Sequence, residues 1–274
     1  MANRLNHSMR PAITLTTDFG WRDPYVGAMK GVLLRHAPGS TLVDITHDID
    51  PGDIQAAAYT IAAAAPYYPV GTVHLVVVDP GVGTSRRALA AGDGHGMFVA
   101  PDNGVLSLAL TPEQPAQVVE IEMLDSKPAD ASPTFHGRDI FAPVAARLAM
   151  GAKLEEMGRP VSDWVRLSLP VAEAGADEIR GTVIYVDHFG NLITNIERGE
   201  LAKFSDTKAI QIELDGKWIA EGLHRTFGDV ESGEPLAYIG STNRLEIAVR
   251  DSSAAVRFQA GVRSGISIRK ARLP

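Results

Sequence analysis

Residues 73–87 read VHLVVVDPGVGTSRR, a strand-like run that passes directly into a polar loop rich in glycine. A run such as Val73–Val78 is typical of a strand in a sheet that is covered on both faces. Two earlier segments, Ala12–Thr16 and Thr41–Ile45, also have the composition of strands. We therefore predict three strands in the N-terminal part of the chain.

Helical patterns occupy the two intervals between these strands. The first opens at Asp23-Pro24 and stops at Pro38-Gly39, as helices that meet Pro and Gly do. The second is the alanine-rich segment Ile54–Ala65, for which Asp53 is a suitable N-cap. This alternation predicts an α/β fold with a mostly parallel sheet and crossover helices, in which ligands bind beyond the carboxyl ends of the strands.

The second half of the chain has a different pattern. Met97–Ala100 and Asp139–Met150 still predict a strand and an amphipathic helix. A linker with several prolines, roughly Gly158 to Gly175, then precedes short alternating segments that predict an all-β sandwich or barrel. These segments are Thr182–Val186, Ile210–Leu214, Leu245–Val249 and Ala255–Phe258. We therefore expect an α/β domain over 1–165 and a smaller barrel-like domain over 178–274.

Composition narrows the possible chemistry. The chain has 274 residues, a formal net charge of -7 and no cysteine. The absence of cysteine excludes disulfides, thiol nucleophiles and Cys-ligated metal. The acidic balance argues against a nucleic-acid partner, and no apolar stretch approaches the roughly 20 residues of a membrane span. With no signal-peptide pattern at the N-terminus, we expect a cytoplasmic protein that binds neither membrane nor nucleic acid.

Two carboxylates lie in polar loops that follow predicted strands. Asp18 has the placement of an acid that binds a ribose diol, and an Asx-turn is the alternative. Asp79 and Arg86 flank a loop whose glycines allow the chain to fold back, so they suit a pair that holds a water or nucleophile. An exposed ion pair is the alternative there. A phosphate-binding loop is excluded because no Lys follows Gly83.

A histidine forms the third candidate. His136 lies between Phe135 and Gly137, just before a helix for which Asp139 is the expected cap. Capping does not explain the imidazole, which titrates near neutral pH and can reach a ligand from a glycine-flanked corner. A solvated loop histidine is the alternative.

The barrel-like region contributes two further polar corners. Asp187, Phe189 and Asn191 combine a carboxylate, a stacking ring and an amide, which suits a purine with an attached amino group. Ser241 begins a Ser-Thr-Asn-Arg corner that suits a carboxylate, and a hairpin turn is the alternative. A metal-dependent hydrolase is a competing interpretation, and its ligands would be His47, Asp48, Asp187 and His188.

Six motifs, in this order, resemble the S-adenosylmethionine hydroxide adenosyltransferase family, the water-using branch of the superfamily that includes the S-adenosylmethionine-dependent fluorinase and chlorinase. They are TTDFG (16–20), ITHDIDPGD (45–53), VVVDPGVGTSRR (76–87), FVAPDNG (98–104), TFHGRDIF (134–141) and VDHFGNLITNI (186–196).

The resemblance implies substitution at the ribose C5′ of S-adenosylmethionine by water, with adenosine and methionine as products and no cofactor or metal. It implies that a catalytic set positions and activates the water, and that further residues bind the substrate. The catalytic set is Asp79, Arg86 and His136. The substrate-binding residues are Asp18 for the ribose, Phe135, Asp187 for the ammonium, Phe189 and Asn191 for the adenosine, and Ser241 for the carboxylate. It also implies a homotrimer whose sites lie between the first domain of one subunit and the second of its neighbour.

Departures from the halogenating relatives favour the water branch. Those relatives have Tyr at the positions of Asp79 and His136, and the fluorinase has hydroxyl groups where Val82 and Gly137 stand here. A fluoride ion needs donors to replace its hydration, and a carboxylate at position 79 repels an anion. At Thr242 the fluorinase has an Arg for the methionine carboxylate, and Arg244 is a possible substitute. A chlorinase-like halogenase and a non-catalytic adenosine- or S-adenosylmethionine-binding protein remain the alternatives.

Overall fold

The computed structural model describes residues 11–111, 116–122, 132–202 and 210–270. These residues form two compact units, of which one ends at Leu167 and the other begins at Ser168. Each unit has its own sheet and its own apolar core.

The first unit is an α/β structure built on a seven-stranded sheet. Its described elements are β1 (Ala12–Thr17), α1 (Tyr25–His36), β2 (Thr41–Thr46), α2 (Ile54–Ala64), β3 (Val73–Val77), β4 (Ala88–Gly92), β5 (Met97–Pro101), β6 (Gln117–Ile121), α3 (Ala142–Ala149) and β7 (Gly158–Pro160). The strand order is β2-β1-β3-β5-β4-β6-β7.

Half of this sheet is parallel and half is antiparallel. β1 pairs in parallel with β2 and β3, and β3 pairs in parallel with β5, which confirms the predicted strands and crossover helices. β4, β6 and β7 extend the sheet through antiparallel pairs. The sequence analysis did not predict β4, because its sequence ALAAG is poor in the β-branched and aromatic residues that mark strands.

The central strand β3 is covered on both faces, as its sequence predicts. Leu75 and Val77 belong to a core that includes residues of α1 and α3. Val76 and Val78 belong to a separate core that includes residues of α2. Because side chains alternate along a strand, one run of apolar residues supplies both cores.

His74 is a fully buried polar residue inside this apolar run. Its Nδ1 lies 2.8 Å from the Thr14 hydroxyl, and its ring stacks on Phe98 with centroids 5.0 Å apart. Burial lowers the pKa of His74 to about 4, with smaller and opposing contributions from the charges of Asp93 and His95. The imidazole is therefore neutral at physiological pH.

The helix predicted over Asp139–Met150 has a different beginning. A wide helical turn over Gly137–Phe141 precedes α3, and Asp139 caps neither. The Asp139 carboxylate instead accepts the backbone N–H of Ser132 at 2.8 Å and pairs with Arg138 at 2.6 Å. The Arg138 hydrogen bond lowers the pKa of Asp139, burial opposes this, and the Ser132 N–H lowers it further. The capping prediction is wrong because these donors hold the carboxylate.

The predicted linker begins too early. Gly158–Pro160 is strand β7, and the following segment packs onto the first unit. Asp102 accepts the backbone N–H of Val165 at 2.7 Å, and the Ser107 hydroxyl oxygen accepts that of Leu167 at 2.7 Å. These side-chain acceptors cannot be inferred from a proline-rich composition.

The second unit is an all-antiparallel, nearly closed sheet of eight strands. Its described elements are β8 (Glu173–Ala174), β9 (Glu178–Val186), β10 (Leu192–Glu197), α4 (Arg198–Leu201), β11 (Ile210–Leu214), β12 (Lys217–Glu221), β13 (Pro235–Ile239), β14 (Arg244–Val249), α5 (Ala254–Phe258) and β15 (Gly265–Lys270). The strand order is β12-β11-β15-β9-β10-β14-β13, and β8 pairs with β9. The predicted all-β, barrel-like architecture is confirmed.

One predicted strand of this unit is a helix. Ala255–Phe258 lies in α5, which is N-capped by Ser253, whose hydroxyl oxygen accepts the Val256 N–H at 3.1 Å. The helix ends at Gln259, which adopts a left-handed conformation with φ of 53°. The strand prediction is wrong because the cap outweighs a short apolar pattern that fits either structure.

Candidate active site

The loop after β3 brings Asp79 and Arg86 into a buried ion pair. The Arg86 guanidinium donates from Nε to both carboxylate oxygens of Asp79, at 2.9 and 3.0 Å, and from Nη2 to Oδ2. Only 10% of the Arg86 side chain and 5% of the Asp79 side chain are exposed. The alternative of an exposed ion pair is therefore wrong.

Two glycines allow this loop to fold back on itself. Gly83 has φ of +79°, and a methyl group there would lie 3.2 Å from the Pro133 carbonyl oxygen. A methyl group at Gly81 would lie 3.3 Å from Cγ of Arg86. Small residues are thus needed both for the turn and for the close packing of Arg86 across it.

His136 extends the pair into a chain of three groups. Its Nδ1 lies 2.7 Å from Nη2 of Arg86. A guanidinium has donors and no acceptor, so Nδ1 is the acceptor and the neutral imidazole carries its proton on Nε2. The Arg86 guanidinium also lies 5.1 Å from the centroid of the buried Phe141 ring. The three predicted catalytic residues therefore form one carboxylate–guanidinium–imidazole cluster in the first unit.

Asp18 connects neighbouring loops at the same edge of the sheet. Its Oδ2 accepts the backbone N–H of Gly52 at 2.8 Å. Gly52 has φ of +77°, and a methyl group there would lie 3.6 Å from Pro80. The local turn is closed by Thr17 instead, whose hydroxyl oxygen accepts the Phe19 N–H at 3.2 Å. The Asp18 carboxylate therefore bonds to a distant loop instead of forming the Asx-turn.

A buried polar chain lies directly behind Asp18. His47 is 1% exposed, and its ring nitrogens contact the Thr17 hydroxyl at 2.7 Å and the Asp44 carboxylate at 2.9 Å. Lys30 donates to the other oxygen of Asp44 at 2.6 Å. Burial acts to raise the pKa of Asp44, but the hydrogen bonds from Lys30 and His47 outweigh it and the pKa is lowered.

These hydrogen bonds contradict the metal site proposed for the alternative hydrolase. Both ring nitrogens of His47 are engaged by protein groups, so the ring has no lone pair to offer a metal ion in this arrangement. Within the described part of the chain, no three His, Asp or Glu side chains are grouped as a metal site.

Phe135 belongs to an aromatic cluster beside His136. Its ring makes edge contacts with Phe19 and Tyr25, at centroid distances of 6.1 and 5.4 Å. Arg138 lies over the Phe135 ring at 4.8 Å. Tyr25 remains 47% exposed, so the cluster offers an aromatic surface next to the buried ion pair.

In the second unit, Asp187 organises the turn between β9 and β10. Its Oδ1 accepts the backbone N–H groups of Phe189 and Asn191, at 3.0 and 2.8 Å, and its Oδ2 accepts the Asn191 side chain at 2.7 Å. The turn interpretation therefore holds for the backbone. No cation pairs with this carboxylate among the described residues.

A cleft of about 660 Å³ adjoins this turn. Its lining comprises Asp187, Phe189, Asn191, Phe227, Tyr238, Val249, Asp251, Ser252 and Ser253. Phe189 is 75% exposed, which is unusual for a large aromatic side chain and fits a ring that stacks on a ligand. The structure thus groups three of the predicted substrate-binding residues of this unit.

Ser241 lies apart from that lining, in the exposed turn between β13 and β14. Arg244, suggested as a substitute for the fluorinase arginine, pairs with Glu197 at 2.9 Å and donates to the Asn195 carbonyl at 3.3 Å. Arg244 is therefore already engaged, and that suggestion is wrong for this conformation.

Sequence reasoning missed Tyr238 and Glu246. Tyr238 lines the cleft, and its hydroxyl donates to Oε2 of Glu246 at 2.6 Å. The available signal was a lone carboxylate within the otherwise apolar strand Leu245–Val249.

Comparison with known proteins identifies the family of the chain. The family model for the SAM hydroxide adenosyltransferase N-terminal domain matches residues 13–158, and that for the C-terminal domain matches 181–267. The chain belongs to the SAM hydroxide adenosyltransferase family.

Two relatives of this family member align with most of its length. It is 42% identical over 270 residues to the (R)-S-adenosyl-L-methionine hydrolase of Thermus thermophilus, covering 95% of this chain and 99% of the relative. It is 44% identical over 250 residues to that of Salinispora tropica, covering 89% and 92%. A crystal structure of an uncharacterized conserved protein from Thermotoga maritima matches with a TM-score of 0.87 at 36% identity, covering 94% of this chain and 100% of that one.

Fluorinases are more distant relatives of this family member. The fluorinase of Actinopolyspora mzabensis is 30% identical, covering 96% of this chain and 98% of the relative. Here Gly137 is buried, and a methyl group on it would lie 3.1 Å from Sδ of Met29 and 3.4 Å from Phe19 and Val77. Position 137 therefore leaves no room for a hydroxyl-bearing side chain unless Met29 moves.

The helices of the family member are short. Across the residues that the structure describes, none is long and apolar enough to cross a membrane.

Proposed function

We propose that this chain hydrolyses S-adenosyl-L-methionine to adenosine and L-methionine, through attack of an activated water on the ribose C5′. The observation that carries the proposal is the buried Asp79–Arg86–His136 cluster, in a chain whose relatives at 42% and 44% identity are named (R)-S-adenosyl-L-methionine hydrolases. Following those names, we propose the (R) epimer at sulfur as the preferred substrate.

The difficult part of this reaction is the activation of the nucleophile. Attack at C5′ converts a sulfonium cation into a neutral thioether, so the leaving group needs no proton and no cofactor is required. Water is a weak nucleophile, so its reaction depends on positioning and on stabilising the negative charge that develops on its oxygen as it loses a proton. The oxygen forms a bond to C5′ while the C5′–S bond breaks, methionine leaves as the neutral thioether, and the proton from the water is released to solvent. The Arg86 cation, which is buried and pairs with Asp79 among the described residues, supplies that stabilisation.

The hydrogen-bond pattern assigns a part to His136. Because Arg86 occupies Nδ1, the neutral ring presents its N–H at Nε2. That N–H orients the oxygen of the nucleophile as a donor. Asp79 holds the guanidinium in a fixed, two-point geometry, so the donors are aimed before the substrate arrives.

Substrate binding follows from the remaining residues. We assign Asp18 to the ribose hydroxyls, Asp187 to the methionine ammonium, and Phe189 and Asn191 to the adenosine. Phe135 contributes an apolar wall beside the cluster, and we assign Ser241, in the turn between β13 and β14, to the methionine carboxylate. A domain over 1–165 carries the catalytic set, and a domain over 178–274 carries the second group of ligand residues.

We also propose a cytoplasmic homotrimer in which the first domain of one subunit and the second of its neighbour form each site. The family resemblance supports this assembly. The exposed aromatic surface around Tyr25 is available for such a contact. Light scattering of the purified protein measures the assembly directly, and a monomer that hydrolyses S-adenosylmethionine at full rate would contradict it.

The test of the function uses water labelled with heavy oxygen. The protein is incubated with each sulfur epimer of S-adenosylmethionine in this water, with chloride, fluoride and EDTA present. Labelled adenosine and equimolar methionine, formed faster from the (R) epimer, support the proposal. A 5′-halogenated nucleoside indicates a halogenase, and binding without any product indicates a non-catalytic protein; either result contradicts the proposal.

A further inference from the structure

Glu246 is a buried carboxyl that the proposed mechanism does not use. It lies on β14 between Leu245 and Ile247, which point into the core of the second unit, so its side chain is on the opposite face of the strand. Even so, only 7% of Glu246 is exposed. A buried carboxyl without a cationic partner is costly and calls for a specific reason.

The surroundings of Glu246 hold it in one place. Tyr238, its register partner on β13, donates its hydroxyl to Oε2 at 2.6 Å. A methyl group at Gly240 would overlap Oε1, so the carboxyl fills the space that this glycine leaves. On the other side, the register partner from β10 is Ile193, which has no charge. The carboxyl is therefore fixed by one donor and by packing.

Among the described residues, the charge that acts on this carboxyl is the negative charge of Asp187. Burial raises the pKa of Glu246, the Tyr238 hydrogen bond lowers it, and the negative charge of Asp187 raises it again, for a net increase. The adjoining cleft is lined by Asp187, Asp251 and Tyr238, and no Lys or Arg is among its described lining residues. Arg250 pairs with Asp251 at 3.6 Å, and within the described ranges neither Asp187 nor Glu246 forms an ion pair. Such a cleft favours a cationic occupant.

We infer that Glu246 is a positioning residue whose carboxyl, held by Tyr238, provides a second negative charge beside Asp187 when the cationic methionyl part of S-adenosylmethionine occupies this cleft. The inference rests on the proposed function, and it deepens it. In the free protein the carboxyl is more readily protonated than an ordinary glutamate. A bound ammonium neutralises Asp187 and stabilises the ionised form of Glu246, so binding of the cation releases protons from the protein.

This linkage predicts a specific pH dependence of binding. The affinity for S-adenosylmethionine increases as the pH rises through the titration of Glu246, because the ionised carboxyl attracts the cation. Adenosine carries no positive charge, so its affinity is independent of this titration. A purely structural Glu246 would affect both ligands alike.

The experiment compares wild type with Glu246→Gln, which keeps the shape and an acceptor for Tyr238. KM and kcat for S-adenosylmethionine are measured from about pH 5 to about pH 8.5, together with calorimetry of S-adenosyl-L-homocysteine and adenosine binding in two buffers of different ionisation enthalpy. S-adenosyl-L-homocysteine retains the ammonium and is not hydrolysed at a sulfonium. We expect Glu246→Gln to raise KM about tenfold at the alkaline end, the size expected for the loss of one partly buried charge. The KM ratio should fall as the pH decreases, with kcat within about twofold throughout.

Calorimetry supplies the second readout. Wild type should release protons when it binds S-adenosyl-L-homocysteine, the variant should release fewer, and adenosine binding should be equal in both proteins. Tyr238→Phe is the second variant: it removes the donor that favours the ionised carboxyl, so the gain in affinity should shift to higher pH. This variant keeps the inference testable if Glu246→Gln does not fold.

The outcomes separate the two proposals. Wild type that hydrolyses S-adenosylmethionine while Glu246→Gln keeps the same KM profile and the same proton release overturns the inference and leaves the proposed function intact. Wild type that neither binds nor hydrolyses S-adenosylmethionine overturns both.

Discussion

The carboxylates at the end of β3 and beside the cleft of the second unit differ in their partners. At the end of β3, Asp79 is fully paired with a guanidinium that also contacts His136. In the cleft, Asp187 accepts hydrogen bonds from neutral donors, and Glu246, reached through the lining residue Tyr238, accepts the Tyr238 hydroxyl. The first arrangement is electrostatically complete without a ligand, whereas we expect a cation to complete the second. Under the proposed function, the paired groups act on the nucleophile and the unpaired groups hold the substrate.

The largest expected effect comes from breaking the paired cluster. Asp79→Asn keeps the shape of the side chain and removes the charge that fixes Arg86. Loss of an electrostatic group of this kind typically lowers kcat by about 10²–10³-fold. Steady-state kinetics measure this, with thermal unfolding as a check because an unbalanced buried charge costs roughly 3–5 kcal/mol.

Asp48→Asn is the matched control for that substitution. Asp48 is exposed and belongs to the rejected metal set. It should change kcat by less than about twofold. A similar loss in Asp48→Asn and Asp79→Asn would break the comparison and revive a metal-dependent mechanism.

The second prediction concerns His74, a buried imidazole that is neutral at physiological pH. The unfolded chain protonates His74 near the ordinary pKa of 6.5, whereas the folded protein does so only near about 4. Stability should therefore decrease as the pH falls from 6.5 towards 4, and the pKa difference corresponds to roughly 3 kcal/mol. Urea unfolding of wild type and His74→Gln at several pH values measures this loss. Parallel pH profiles for the two proteins would contradict it.

The third prediction tests the unpaired side of the comparison. Asp187→Asn preserves an oxygen that accepts the Phe189 and Asn191 N–H groups but removes the charge. We expect KM for S-adenosylmethionine to increase roughly tenfold to thirtyfold, with kcat little changed, since one charge pair of about 1.4–2 kcal/mol is lost. Asp251→Asn is the control in the same cleft, because Asp251 already pairs with Arg250. An equal effect of both changes would assign the binding to general charge rather than to Asp187.

The smallest effect is on the stability of the free protein. The folded pKa of Glu246 lies above its unfolded value, so the stability that Glu246 contributes is present at low pH and is lost as the pH rises through the folded pKa. Glu246→Gln should therefore have a slightly higher melting temperature than wild type near pH 8 and no advantage near pH 4. A lower melting temperature at both pH values would show that Glu246 stabilises the fold.

The fold is predictable where pattern and capping agree. β1, β2, β3 and α1 follow from apolar runs that end at Gly or Pro, and Asp53 caps α2 by accepting the Ala56 N–H, as its position indicates. The alanine-rich β4 and the helix α5 are not predictable in this way, because their local preferences are weak. Their structure is set by pairing with β5 and β6 and by the Ser253 cap.

The candidate site also includes both residues that the local sequence predicts and residues that depend on tertiary contacts. Glycines between Asp79 and Arg86 predict a folded loop, so this pair is accessible to sequence reasoning. The contact of Arg86 with His136 joins residues fifty positions apart. Glu246 is missed because nothing local distinguishes a buried carboxyl held by a neighbouring strand from one that faces solvent on a sheet. Register with Tyr238 and packing on Gly240 decide that, and both are tertiary features.

The central claim is that the paired cluster acts on the chemical step and the unpaired cleft acts on binding. Single-turnover hydrolysis of S-adenosylmethionine, measured at increasing protein concentration for wild type, Asp79→Asn and Asp187→Asn, gives the limiting rate and the half-saturation together. The account predicts that Asp79→Asn lowers the limiting rate by at least about 10²-fold with half-saturation nearly unchanged, and that Asp187→Asn does the reverse. If both substitutions change the same parameter, the division of labour is wrong.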